Sequence, residues 1–251
     1  MSKGVEIFLW YSCHLKCKFC FQKDLREKDP LFISKNIVEK IILDGARDKK
    51  TFIVFSWGEA TLDKNLLWYI SLAKKHWYID IRVHTNWLTF SSKQKLGLYI
   101  DNGMTGVVIS IHGYKQVHDA LVGMDWAFEK VSQALRNIYE IKKKFPGFVI
   151  DTNTALHPLN QDNLFVLFKF LSYFPITRSQ LVQVYSLSLF SHQEKEALYV
   201  KYEDFGKSLE KILAVKNINI VLENFPFCKV SQKYWGNIER RQRYNNVSYG
   251  N

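Results

Sequence analysis

The stretch "YSCHLKCKFCF" at residues 11–21 carries three of the chain's four cysteines. Cys13, Cys17 and Cys20 follow the spacing C-x3-C-x2-C. Soft thiolates this close together read as metal ligands. A closed structural zinc site takes four protein ligands, and only three cysteines stand here. His14 adjoins Cys13 too directly to close the same tetrahedron, and Cys228 lies near the far end of the chain. A [4Fe–4S] cluster held by three cysteines leaves one iron open to an exchangeable ligand. That is a property an enzyme can use.

Outward from this stretch, apolar β-rich runs alternate with amphipathic ones. Strands are predicted at 5–12, 51–57, 79–86, 106–113, 148–156 and 180–189, with one more at 217–224. Helices are predicted at 34–48, 62–76, 91–103, 126–144, 160–174 and 201–215. A serine at 34 suits a helix N-cap, Gly103 suits a C-cap, and Pro146 stops the fourth helix. This β-α alternation is the pattern of a parallel sheet with outer helices. Such architectures carry chemistry at the C-terminal ends of their strands. The distinctive polar groups fall there: the cysteines after the first strand, "WGEAT" after the second, "HTN" after the third and "SIHG" after the fourth. Thr152, Asn153 and Thr154 lie on the fifth.

With 251 residues, 47% of them hydrophobic, the chain can bury one full α/β core. Its net charge of +11 comes from scattered lysines that read as solvated helix faces. The densest basic run is the short "ERRQRY" at 239–244. An RNA-binding role would need an exposed face with aromatic and basic groups interleaved, and no such stretch stands out, so nucleic acid is not an expected partner. No segment reaches the ~18 apolar residues of a membrane span. The start shows no small-residue cleavage site. A cytoplasmic protein is therefore expected, where clustered cysteines bind metal or do redox chemistry rather than form disulfides.

"CHLKCKFC" resembles the radical S-adenosylmethionine (radical SAM) superfamily, whose cysteines follow C-x3-C-x-aromatic-C. The "GEA" segment, the Thr85-Asn86 pair, "ISIHGYKQVHDALVG" from 109 and the βα count strengthen the resemblance, which covers roughly residues 5–190. It implies a partial (β/α)6 barrel as core domain, residues 1–225; the remaining 226–251 read as a short C-terminal extension, expected loose because its sequence is polar and rich in Asn, Arg and Tyr. It implies two cofactors, a [4Fe–4S] cluster and S-adenosyl-L-methionine. Reductive cleavage of the latter would leave a 5′-deoxyadenosyl radical to take hydrogen from a substrate. By the same resemblance, Cys13, Cys17 and Cys20 are the cluster ligands and Phe19 lies near the adenine. Trp57, Gly58, Glu59 and Ala60 form the segment that receives the methionine amine, with Glu59 bearing the charge. Asn86 and Ser110 stand near the methionine and ribose, and Asn153 holds a comparable place. His112 faces substrate or is a structural histidine. The "SIHG…HDALVG" segment leans toward peptide- and protein-modifying branches. An electron donor such as a flavodoxin or ferredoxin is implied.

The chain departs from the family at two loops. Trp57 stands where the family has the first of two glycines, and Trp87 where it commonly has glycine after Thr-Asn. Trp10, Trp77 and Trp126 also fall where glycine would be ordinary. Glycine is 12 of 251, below the usual ~7%, and counting all seven tryptophans as glycine restores an ordinary share. Two readings stand open. In the first, these tryptophans are written for glycines encoded by UGA, which some bacterial lineages read as glycine and others as tryptophan. Alternatively the chain is a degenerate, non-catalytic iron–sulfur or zinc-binding homologue. Cys228 cannot hold a cluster alone and is expected to be buried or substrate-facing. Substrate and reaction outcome are not legible.

Overall fold

Seven strands, all parallel, pair in strict chain order. They are β1 (Gly4–Phe8), β2 (Phe52–Ser56), β3 (Asp80–Thr85), β4 (Gly106–Ser110), β5 (Val149–Leu156), β6 (Arg178–Gln183) and β7 (Ile220–Glu223). The structure, a computed structural model, describes residues 4–28, 33–184 and 192–238. Nine helices among these residues connect and cover the strands: α1 (Lys23–Lys28), α2 (Lys35–Arg47), α3 (Leu66–Lys75), α4 (Lys93–Asp101), α5 (Gln116–Val122), α6 (Ala127–Lys144), α7 (Leu164–Leu171), α8 (His192–Leu198) and α9 (Tyr202–Leu213). The sheet runs from β1 at one edge to β7 at the other, a curled half-barrel with helices outside.

The expected parallel α/β barrel is the observed one, with the seventh strand paired to β6 rather than left over. Strand ends differ by a few residues from the sequence expectation. The short helices α1, α5 and α8 were not expected, because six or seven residues give too little periodicity to see. Residues 185–189 of the expected sixth strand, and the basic run at 239–244, lie outside the described residues.

The core fills the space between sheet and helices. Val38, Ile41, Ile42 and Gly45 recur at helical spacing on the buried face of α2. Gly45 is required there: a Cβ would stand 2.2 Å from the Tyr78 hydroxyl. Alternate residues of the strands face the other way, into the barrel. Near its floor, Arg82 bridges Asp80 and Asp151, at 2.7 Å to the latter, and Arg178 adds a contact at 3.4 Å. These pairs tie β3, β5 and β6 together across β4, where Gly106 leaves room for the Arg82 stem. Burial raises the Asp151 carboxyl, and Arg82 and Arg178 oppose that shift.

The C-terminal extension is not loose throughout. Residues through Ile238 pack back on β7: Leu222 bridges Ile238, the Asn237 amide donates to the Ile220 carbonyl at 2.7 Å, and Val230 is buried. Residues 239–251 lie outside the described residues. Among the described residues, no helix is long and apolar enough to cross a membrane.

Candidate active site

The cysteine loop leaves β1 and is stitched to α5. Lys16 N–H donates to the Val122 carbonyl at 3.0 Å, and Lys18 N–H to Leu121 at 2.9 Å. Gly123 then turns left-handed with φ 67°, and a Cβ there would stand 3.1 Å from the Lys16 carbonyl. The "HDALVG" segment is thus the rail that shapes the cysteine loop.

The three cysteines are half-buried, reduced and lie on one wall of a cavity of about 400 Å³ at the C-terminal mouth of the barrel. That volume suits a small-molecule site. N–H groups point at their sulfurs. Leu15 N–H and the Asn86 amide each reach Cys13 Sγ at 3.5 Å, and Arg26 reaches Cys20 Sγ at 3.3 Å while also holding the Leu15 carbonyl at 2.8 Å. Burial pushes the Cys13 thiol up, and burial with repulsion from Cys20 and Cys13 pushes Cys17 up further. Among the described residues, no three His, Cys, Asp or Glu side chains converge on one metal ion. A cubane, by contrast, takes each thiolate on a different iron, and the donors around the sulfurs suit such a charged cluster.

The remaining expected residues divide into two groups. Phe19, Trp57, Gly58, Asn86, Ser110, His112 and Asn153 line the cavity with the cysteines. Glu59 and Ala60 do not; both are fully buried behind it. Glu59, expected to meet the ligand's ammonium, instead clamps two loops. Its Oε1 accepts from Thr61 N–H at 3.1 Å, Thr61 Oγ1 at 2.6 Å and Thr85 Oγ1 at 2.7 Å, and its Oε2 from Asn86 N–H at 2.6 Å. These donors satisfy a carboxylate buried away from water. What the segment turns toward the cavity is Trp57 and Gly58. Gly58 N–H donates to Gln22 at 3.1 Å, and a Cβ on Gly58 would strike the Ser12 carbonyl at 2.4 Å.

Thr152 and Thr154, expected on the same rim, are spent inside the sheet. Thr152 bonds Ser179, and Thr154 donates to the Ile111 carbonyl. Cys228, expected buried or facing substrate, is exposed and is not among the cavity-lining residues.

His112 has both a structural and a cavity-facing part. Its Nδ1 accepts from Ala155 N–H at 3.1 Å, so Nε2 carries the proton. Its backbone N–H donates to His118 Nδ1 at 3.1 Å. Phe19 packs edge-on against the His112 ring at 4.5 Å. Burial, then neighbouring histidines, hold His112 well below the usual histidine range, and it is neutral. Burial likewise lowers His118 to about 3 and His84 to about 4.

Several cavity residues were missed from the sequence. His84 pairs with Ser110 at 3.2 Å, and Glu6 accepts from Ser56 at 2.9 Å, its carboxyl raised by burial. Both sit on inward positions that only the register reveals. Gln183, at the end of β6, is 2% exposed, and neither amide atom has a hydrogen-bond partner among the described residues. It lines the same cavity, across from the cysteines' strand in the sheet order. A buried, unpaired amide is costly and calls for a ligand or water.

A sequence profile of the radical SAM superfamily matches residues 7–171. Among solved structures, SuiB of Streptococcus suis bound to its precursor peptide SuiA is similar with a TM-score of 0.68 at 16% identity, over 89% of this chain and 49% of that one. The enzyme anSMEcpe, with bound AdoMet and the Cp18Cys peptide, gives 0.64 at 20% identity, over 84% and 58%. HydG, a maturase of the [FeFe]-hydrogenase, gives 0.59 at 12%, over 88% and 51%. The chain thus spans about half to three fifths of these proteins' length, and at such identities the likeness is one of fold. No curated protein sequence matches.

Proposed function

The chain belongs to the radical SAM superfamily, and on that premise we propose that it is an enzyme that cleaves S-adenosyl-L-methionine reductively and takes hydrogen from a peptide or protein substrate. The carrying observation is the convergence of Cys13, Cys17 and Cys20 with Phe19, Asn86, Ser110 and Asn153 around one cavity. The superfamily works with a [4Fe–4S] cluster and S-adenosylmethionine, and a cluster held by Cys13, Cys17 and Cys20 would supply the electron for reductive cleavage. The protein's share is to bind, orient and exclude water.

Each group has a part in that share. The three cysteines would hold the cluster, and Asn86 and the Leu15 N–H at Cys13, with Arg26 at Cys20, are placed to stabilise negative charge on the sulfurs. Glu59 positions rather than binds: it fixes the Asn86 backbone and the Trp57-Gly58 turn at the cavity wall. Neutral His112 offers an N–H donor into the cavity, held still by Ala155 and Phe19. Gln183 offers both a donor and an acceptor from the opposite wall, which suits a peptide group. Solved structures of two folds of this kind hold peptides, which supports the substrate class. The electron donor is proposed to be a flavodoxin or ferredoxin, and a cluster of this kind suits a reducing, cytoplasmic setting.

One observation favours the second reading, a binding-only homologue. Trp57 and Trp87 both stand among the cavity-lining residues, at the two loop positions where the family pattern has glycine. The deciding experiment is anaerobic. Protein reconstituted with iron and sulfide is reduced, given S-adenosylmethionine and assayed for 5′-deoxyadenosine, both as the present chain and as the Trp57→Gly, Trp87→Gly variant. Product from either supports the enzyme. Cluster-loaded, folded protein that gives none in both forms overturns it.

A further inference from the structure

Eight residues other than glycine have a left-handed backbone among the described residues: Lys49, Trp57, Trp77, Trp87, Lys115, Trp126, Asn217 and Asn224. Half of them are tryptophan, a residue the chain holds only seven times. Asparagine visits this region readily, and a bulky aromatic does so very rarely.

No shared packing cause unites the four. Trp77 is 86% exposed and Trp126 71%, so neither side chain pulls its backbone into place. Trp87 is fully buried, and its indole N–H has no hydrogen-bond partner among the described residues. Trp57 stacks on Phe8 at the cavity wall, at 4.1 Å. What they share is a backbone that glycine adopts freely.

The turn after α3 makes this explicit. Trp77 N–H donates to Lys74 and Tyr78 N–H to Ala73, which is the Schellman arrangement with its left-handed residue at position 77, φ 68°. The turn after α4 is built in the same way: Gly103 N–H donates to Ile100 and Met104 N–H to Tyr99, with glycine in the left-handed seat. At 57 the left-handed residue precedes a second one, Gly58, φ 53°.

The other three tryptophans behave differently. Trp10, Trp68 and Trp235 have no left-handed backbone, and their side chains are used. Trp10 Nε1 donates to the Glu59 carbonyl at 3.1 Å, Lys35 sits 4.0 Å over the Trp68 ring, and Trp235 Nε1 donates to Val230 at 3.0 Å. For Trp10 this corrects the expectation from sequence.

We infer that residues 57, 77, 87 and 126 are glycine in the protein made by its host, written as tryptophan through a UGA codon, and that 10, 68 and 235 are tryptophan in fact. This stands apart from the proposed reaction, since two of the four positions are remote from the cavity. Its consequence for the site is direct: a Gly-Gly turn at 57–58 and a Thr-Asn-Gly turn at 85–87 stand beside the cysteines, at two positions that line the cavity.

The test reads the gene and the native protein together. UGA codons at the four positions, with tryptic peptides carrying the glycine mass, are expected. UGG at any of the four overturns the inference. A second measurement needs no gene. In the tryptophan-bearing chain, Trp77→Gly and Trp126→Gly should each raise the melting midpoint by about 2–4 °C, while Trp68→Gly, inside a helix, should lower it. Falls at 77 and 126 like that at 68 overturn the backbone argument.

Discussion

The two walls of the cavity are built on opposite principles. Over β1–β3, polar groups are bound to one another: Glu59 to Thr61, Thr85 and Asn86, Gln22 to Gly58, Asn86 and Arg26 to cysteine sulfurs. Over β5 and β6, Gln183 is buried with its amide unpaired. Apart from the buried Trp87 indole, the polar groups of the first wall satisfy one another before any ligand arrives, as a cofactor seat should. The second withholds a donor and an acceptor for something else. On the proposed function, the first wall would receive the cofactor and the second the substrate.

The largest effect should come from the cluster loop. Cys17→Ser should abolish cluster loading, read as near-complete loss of the iron–sulfur absorbance after reconstitution, while Cys228→Ser leaves it intact. Equal loading in wild type and Cys17→Ser would break the comparison at its base. Next is the clamp. Glu59→Gln turns an amide N–H toward donors in a buried site and should cost on the order of 3 kcal/mol in denaturant unfolding. A change near zero would mean the first wall is not self-satisfied.

A smaller effect is set by pH. His118 is lowered to about 3 by burial, against an ordinary value of 6.5. The unfolded chain takes up this proton near pH 6.5 and the folded chain does not. Its contribution is therefore full above that pH and is lost as pH falls below it, at about 1.4 kcal/mol per unit. Unfolding free energies at pH 7.5 and 5.5 should differ by about 1 kcal/mol more in wild type than in His118→Asn, which keeps an acceptor for the His112 N–H. Equal differences would show His118 to be free to protonate. The smallest effect on stability sharpens the contrast most. Gln183→Leu should leave stability unchanged or raise it by up to about 1 kcal/mol, since an unpaired buried amide is removed. Substrate affinity should fall by roughly tenfold, the equivalent of one or two hydrogen bonds. A loss of stability with unchanged affinity would make Gln183 a structural residue.

Legibility followed the same divide. The cysteine spacing, the "GEA" turn and the Thr-Asn pair are local strings, and each landed at or beside the cavity. Trp57 and Trp87 could be suspected from those strings, because turn geometry is written in short sequence. Gln183, His84 and Glu6 could not be found, because no local pattern says which face of a strand turns inward at which height. The bonds Glu59 makes are not legible locally, since two of its donors, Thr85 and Asn86, lie a strand away.

By itself the sequence determined the parallel α/β alternation, the three-cysteine loop and the order of the rim segments, because periodicity and turn chemistry act over a few residues. Tertiary structure alone decided which carboxylate is a clamp, which amide is left for a ligand and which tryptophans have a glycine's backbone. Those properties depend on register and burial, which arise only when strands distant in the chain are set side by side.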